Sequence, residues 1–243
     1  MSKEKEIKKI QKKCWSQYKS LIGLDENYTY LYGNPVKVHV PLDTAVGGIM
    51  IIGAYPTAHF NTINGINDIP VSDHLYPFSN ESYFDGSRIR TVESGKELKD
   101  EYLDKLGIAR EQCWITDLVK VFLFKDGHIR RYESLGYKGH FATRNRFLYF
   151  AKKSRPLLLE EILIAEPKLI LTLGTEVASA VFEVDEKEAT SLMTETKIPL
   201  IVGQKEYTCF ALPHPGIIMK NTAQSAVWKA MLKRQIKTIK NFL

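Results

Sequence analysis

Two stretches decide the fold: GGIMIIGAYPTAHF, residues 47–60, and YTCFALPHPGIIMK, residues 207–220. In each, a short apolar run stops abruptly at glycine or proline. The run Gly48 to Ile52 is rich in β-branched residues and gives way at Gly53 and Pro56, the pattern of a buried parallel strand entering a rigid turn. In the second stretch His214 lies between Pro213 and Pro215, whose fixed φ angles orient the imidazole through the backbone. The two loops together are expected to frame a base-sized pocket.

Working outward, CWITDLVKV (113–121) and PKLILTLGTEVASAVF (167–182) repeat the strand-then-turn scheme. Residues Gly95 to Leu106, Leu157 to Ile164 and Glu176 to Phe182 carry apolar side chains at helical spacing and read as crossovers. Alternation of this kind predicts an α/β domain with a central four-stranded parallel sheet flanked by helices. Ligands of such sheets bind beyond the carboxyl ends of the strands, where GAYPT, TDLVK, GTE and PHPG all fall. One domain spanning residues 1–243 is expected, with an N-terminal extension over 1–47 and a basic, aromatic helical insertion over 122–155.

The order of these segments resembles the uracil-DNA glycosylase superfamily, with families four and five the most similar, from about Gly48 to the C-terminus. The matching pieces are a strand ending in G-x-x-P, an F-x-G at Phe84-Asp85-Gly86, then LGIAREQCWITDLVK, EPKLILTLGTEVA and HPGIIMK before a tryptophan-bearing helix. The resemblance implies a DNA glycosylase that flips a nucleotide out of the duplex and hydrolyses its N-glycosidic bond. It also implies residue roles. Phe84 would stack on the flipped base, with Gly53, Ala54, Tyr55 and Thr57 around it, and the loop carrying Asp117 would read its edge. His214 would donate to the base oxygen. Ile217, Ile218 and Met219 would wedge into the vacated stack, with Gly174, Thr175, Gly216 and Lys220 at the DNA backbone.

Three departures from the family pattern matter. Families four and five usually hold a four-cysteine iron–sulfur cluster, yet Val121 stands where a ligand would follow the V-K dipeptide, and the chain has three cysteines, Cys14, Cys113 and Cys209. No cluster or other cofactor is expected. The first loop has Ala54 and Tyr55 where related enzymes carry an acid or amide, so the water-activating group does not transfer; Asp85, Asp117 and His59 are candidates. Finally, Asp117 replaces the asparagine that reads uracil. An ionised carboxylate only accepts hydrogen bonds, which suits the N4 amino group of cytosine rather than O4 of uracil.

Thr57 and Ala58 replace the bulky tyrosine that blocks C5 substituents in family one. A C5-substituted cytosine, hydroxymethylated or glucosylated, is therefore the expected target, and because such bases mark certain phage genomes, a role in antiviral defence follows. A uracil repair enzyme and an inactive DNA-binding relative are the alternatives.

Charge agrees with a polyanionic partner: the formal net charge is +6 and the pI about 9.0. The region 122–155 adds Arg130, Arg131 and Arg144 among phenylalanines and tyrosines, a mixture able to neutralise phosphates and stack on bases, or to form a buried aromatic face. No apolar run approaches the ~20 residues that span a bilayer, and residues 1–13 lack a signal-peptide core. A cytoplasmic monomer acting on DNA is expected. Residues 1–22 read as an amphipathic helix with Ile7, Ile10, Cys14, Tyr18 and Leu21 on one stripe.

Overall fold

In the computed structural model, which describes residues 2–139, 141–220 and 222–243, the run expected to be a buried strand is β1, Ile49–Gly53, every residue of it buried. A hairpin follows, β2 (Ala58–Ile63) with β3 (Ile66–Asp73), then the short antiparallel pair β4 (Ser82–Phe84) and β5 (Ile89–Thr91). β6 (Cys113–Asp117) and β7 (Leu169–Leu173) lie parallel on either side of β1, and both are also wholly buried. β8 (Ile198–Val202) and β9 (Lys205–Leu212) complete a five-stranded sheet of order β6-β1-β7-β9-β8.

The parallel architecture is as expected, but the sheet has five strands rather than four. β8 is the addition, and it runs antiparallel to β9. Its burial alternates inside and outside, because an edge strand half-covered by helices needs only one apolar face. The alternation in Ile198–Val202 is the signal that the search for continuous apolar runs passes over.

Helices cover both faces. The first crossover is α2 (Glu93–Leu98), continued through a π-helical turn at Lys99–Leu103 into α3 (Asp104–Leu106). α4 (Asp126–Ser134) and α5 (Phe147–Ala165) join β6 to β7, and α6 (Thr175–Phe182) with α7 (Glu186–Leu192) lead from β7 to β8. The short α8 (Pro215–Ile218) precedes the C-terminal α9 (Ala223–Phe242).

The N-terminal helix α1 of the chain spans Lys3–Ile22 and packs on α5 rather than extending away. Its buried stripe is Ile10, Cys14, Tyr18 and Ile22, whereas Leu21, expected on that stripe, is 47% exposed. A strict step of four carries the stripe to Ile22. Tyr18 ties the helix to the sheet end: its hydroxyl accepts from the Lys120 backbone N–H at 2.8 Å and shares a hydrogen bond with Ser154 Oγ.

The aromatic residues of 122–155 are core. Phe122, Phe124, Tyr132, Phe147 and Phe150 are at most 2% exposed, and Phe122 and Phe124 pack against Tyr30 of the N-terminal segment. Of the two expected readings of this region, rings offered to nucleic acid or a buried aromatic face, the second holds for these five. Burying them yields ~1.5–3 kcal/mol per side chain, far more than they would return on a wet surface.

Candidate active site

β1 and β6 end side by side, with Gly53 in register with Asp117. This pairing explains why residue 53 is glycine. A Cβ there would lie 2.3 Å from Asp117 Oδ1 and 2.5 Å from Cε2 of Phe78, so the missing side chain is the space in which carboxylate and ring meet.

Phe78 is 6% exposed and holds a left-handed backbone, φ 52°, that costs a non-glycine residue ~1 kcal/mol or more. Arg110 clamps this turn, donating to the carbonyls of Phe78 (2.8 Å) and Pro77 (3.1 Å) while paired with Asp43. Gly95 of α2 gives room beneath, since a Cβ there would strike the Ser79 carbonyl at 2.1 Å.

Phe84, the ring expected in this place, is 65% exposed on β4 opposite Ile89. The structure puts Phe78 against Gly53 and Asp117 instead. Pro77-Phe78 carried a signal of its own, an aromatic following proline within the polar loop SDHLYPFSN, where no helix or strand pattern asks for a core ring. Stacking on a base is worth ~1–3 kcal/mol. Phe78→Leu, which keeps the apolar volume, should therefore slow base excision about tenfold, while Phe84→Leu leaves it within twofold; single-turnover assays of both variants check this.

Asp85 does not reach this space. Its carboxylate accepts from Ser87 N–H, Ser87 O–H and Arg88 N–H, all within 2.9 Å, and the backbone bonds hold its pKa below the usual carboxylate value. It builds the β4–β5 turn, which corrects its assignment to catalysis. His59 is likewise engaged, with Nε2 2.6 Å from Glu81 and its ring stacked on Tyr83.

Asp117 is 3% exposed, and among the described residues its carboxylate accepts no hydrogen bond. Lys120, three residues on, turns inward. Its ammonium bonds Thr116 Oγ1 (2.7 Å) and the Asp117 main-chain carbonyl (3.2 Å) and pairs with buried Glu161 at 2.6 Å. Burial pushes the Asp117 carboxyl up to about 7, against the pull of Lys120. This buried carboxyl, without a hydrogen-bond partner among the described residues, stands at the carboxyl end of a parallel strand, where ligands of such sheets bind.

His214 caps α8, and its Nδ1 accepts from the Gly216 N–H at 3.1 Å. The tautomer follows: Nε2 carries the hydrogen. Burial, reinforced by the positive charge of Arg144, lowers its pKa to about 4, so the ring is neutral at pH 7 and a donor only through Nε2. Gly174 adopts φ 104°, a backbone that L side chains rarely take, and its Cα packs beside His214, where a Cβ would make an ordinary contact 3.5 Å from that of His214. The Gly174 N–H itself is taken by the Leu212 carbonyl at 2.7 Å, so it is removed from the expected phosphate contacts, leaving Thr175 at the start of α6.

Arg144 is brought to the same pocket rather than to an outer basic face. Its guanidinium lies 5.5 Å from the centroid of the Tyr55 ring and 5.7 Å from that of Phe147, and it pairs with Glu176 at 2.5 Å. Ala54 and Thr57 flank Tyr55 and are partly exposed. Arg130 is exposed and Arg131 partly so, both on α4. After the PHPG turn, Ile217, Met219 and Lys220 are exposed, but Ile218 is 1% exposed and belongs to the core, not to a wedge.

Val121, where an iron–sulfur ligand would stand, is buried in the apolar core, and the three cysteines sit on three separate elements, α1, β6 and β9. These residues do not fit a cluster. Among the described residues no group of three or more His, Cys, Asp or Glu could hold a metal ion, and no helix is long and apolar enough to cross a membrane.

Comparison with curated proteins finds no match. A sequence profile of the uracil DNA glycosylase superfamily, in contrast, matches residues 44–235, from the segment before β1 into α9 and across every strand end described above. With a parallel sheet whose loops converge on Gly53, Asp117, Gly174 and His214, and with that match over most of its length, the chain belongs to the uracil DNA glycosylase superfamily, a group of DNA glycosylases.

Proposed function

We propose that the protein excises a C5-substituted cytosine, hydroxymethylated or glucosylated, from DNA, and that it serves in defence against phage whose genomes carry such bases. The observation that carries this reading is the free carboxyl of Asp117, buried opposite Gly53 beside the Phe78 ring. Ionised, it accepts from an N4 amino group and repels O4; that match separates the two bases by ~1–3 kcal/mol. Thr57, small and partly exposed beside Tyr55, supports room beside C5.

Uracil excision is the second reading, and the same carboxyl favours it at low pH. With its pKa raised to about 7, Asp117 is protonated below that value and then donates to O4. Strand cleavage by the enzyme is not part of either reading. Lys120, the lysine beside Asp117, is 1% exposed and its ammonium is held by Glu161 and Thr116, away from a sugar carbon.

Duplexes carrying one uracil, cytosine, 5-hydroxymethylcytosine or glucosylated 5-hydroxymethylcytosine test the proposal. At pH 8 the modified cytosines should be released fastest, leaving abasic sites that break only in alkali. Release of uracil alone at every pH would replace the first reading by the second; release of none would leave a DNA-binding relative.

A further inference from the structure

The first loop places Tyr55 where the resemblance calls for an acid or amide, yet a carboxylate reaches that neighbourhood from elsewhere. Arg144 lies over the Tyr55 ring and grips Glu176 through one oxygen only, Nη2 to Oε2 at 2.5 Å. Among the described residues Oε1 of Glu176 accepts no hydrogen bond, and the side chain is 39% exposed. Glu176 stands two residues after Gly174, against which His214 packs, and of the charges acting on the His214 ring those of Arg144 and Glu176 act most strongly. The loop after β7 and the turn before α5 thus bring an oriented, half-free carboxylate to the neighbourhood of Tyr55.

We infer that Glu176 is the carboxylate that holds and deprotonates the attacking water, with Arg144 as its positioning residue. The inference rests on the glycosylase reading. The water oxygen forms a bond to C1′ as the C1′–N1 bond breaks, its electron pair leaving with the base. The water proton passes to Oε1 of Glu176, and the anionic base is held by the Nε2–H of His214 until it takes a proton from solvent. The carboxylate also faces the positive charge that builds on the sugar. Arg144 keeps Oε2 occupied, so that only Oε1 is presented.

Single-turnover excision and DNA affinity, measured on the same variants, test the assignment. Glu176→Gln, which preserves the contact to Arg144, should lower the rate roughly 10- to 100-fold with the DNA Kd unchanged within about twofold. Glu176→Ala should lose a similar factor and recover part of it in added formate, a restoration that a purely structural role would not allow. Glu97, whose carboxylate lies on the other side of the His214 turn, near Gly216, is the control. Overturning results are an unchanged rate in Glu176→Gln, a loss in Glu97→Gln alone, or a Glu176→Ala loss that follows DNA affinity and ignores formate. A parent that releases no base removes the glycosylase reading and this inference together; an active parent with an indifferent Glu176 removes only the inference.

Discussion

Replacing His214 with alanine is expected to lower base release by a factor on the order of 10² or more, the usual loss when one donor to a developing oxyanion is removed. The expectation rests on tautomer and charge. Nδ1 is committed to the Gly216 N–H, so the hydrogen on Nε2 points away from the turn, and with a pKa lowered to about 4 the ring stays neutral throughout the working range. A neutral donor stabilises an anionic base without protonating it beforehand. The variant should also lose a helix cap, ~1 kcal/mol, so thermal unfolding must be measured alongside single-turnover kinetics. A rate unchanged at saturating enzyme would take His214 out of the chemistry.

The lowered pKa has a stability consequence. Between its ordinary value of 6.5 and about 4, the unfolded chain binds a proton at residue 214 that the folded chain refuses. Stability contributed by this group is therefore present above pH 6.5 and is lost as pH falls toward 4. His214→Ala should flatten that part of the acid limb.

Asp117→Asn should produce the largest change in selectivity. An amide offers an N–H to O4 of uracil and a carbonyl to the N4 amino group, so the preference of the parent for cytosine-type bases should fall by ~1–3 kcal/mol, or roughly 5- to 150-fold. The parent itself should show a pH signature that the variant lacks. Its activity on modified cytosine should rise through pH 7 as Asp117 ionises, while any activity on uracil falls. Equal substrate ratios for parent and variant at pH 6 and pH 8 would mean that Asp117 does not read the base.

Stability supplies an independent check on the same carboxyl. Because its folded pKa is raised from 3.8 to about 7, the folded state holds the proton more tightly, and stability from this group is full at low pH and lost as pH rises through that window. At pH 8 the loss is of order 2–4 kcal/mol, from a shift of about three units at 1.36 kcal/mol each. Asp117→Asn carries no ionisation, so its melting temperature relative to the parent should climb between pH 5 and pH 8. A flat difference would show a hydrated carboxyl rather than a buried one.

Much of the framework was legible in local pattern. Ile49–Gly53, Cys113–Asp117 and Leu169–Leu173 announce themselves because a strand buried on both faces needs apolar residues at every position and must end at a turn former. The Pro213-His214-Pro215 turn is similarly self-evident, since both flanking φ angles are set covalently. The edge strand Ile198–Val202 escaped because half of its residues face water, and the N-terminal stripe was misread by one residue at its end, Leu21 for Ile22, where 3.6-residue periodicity tolerates either.

By itself, then, the amino-acid sequence determined the parallel sheet, the four loops at its carboxyl end, and the identity of Asp117 and His214 at two of them. Which aromatic ring faces Asp117 was a tertiary decision: the Pro77-Phe78 pair marked a loop aromatic but not its destination, and only the strained turn clamped by Arg110 brings Phe78 to Gly53. The same holds for Lys120, turned to Glu161 rather than to Asp117, and for Arg144, drawn from a basic segment to Glu176 and Tyr55. These contacts join residues 25 or more apart in the chain, or choose between neighbours at equal reach. Local propensity carries no information about either, because such partners are selected by the order in which strands pair and by where a charge can be buried with its counter-ion.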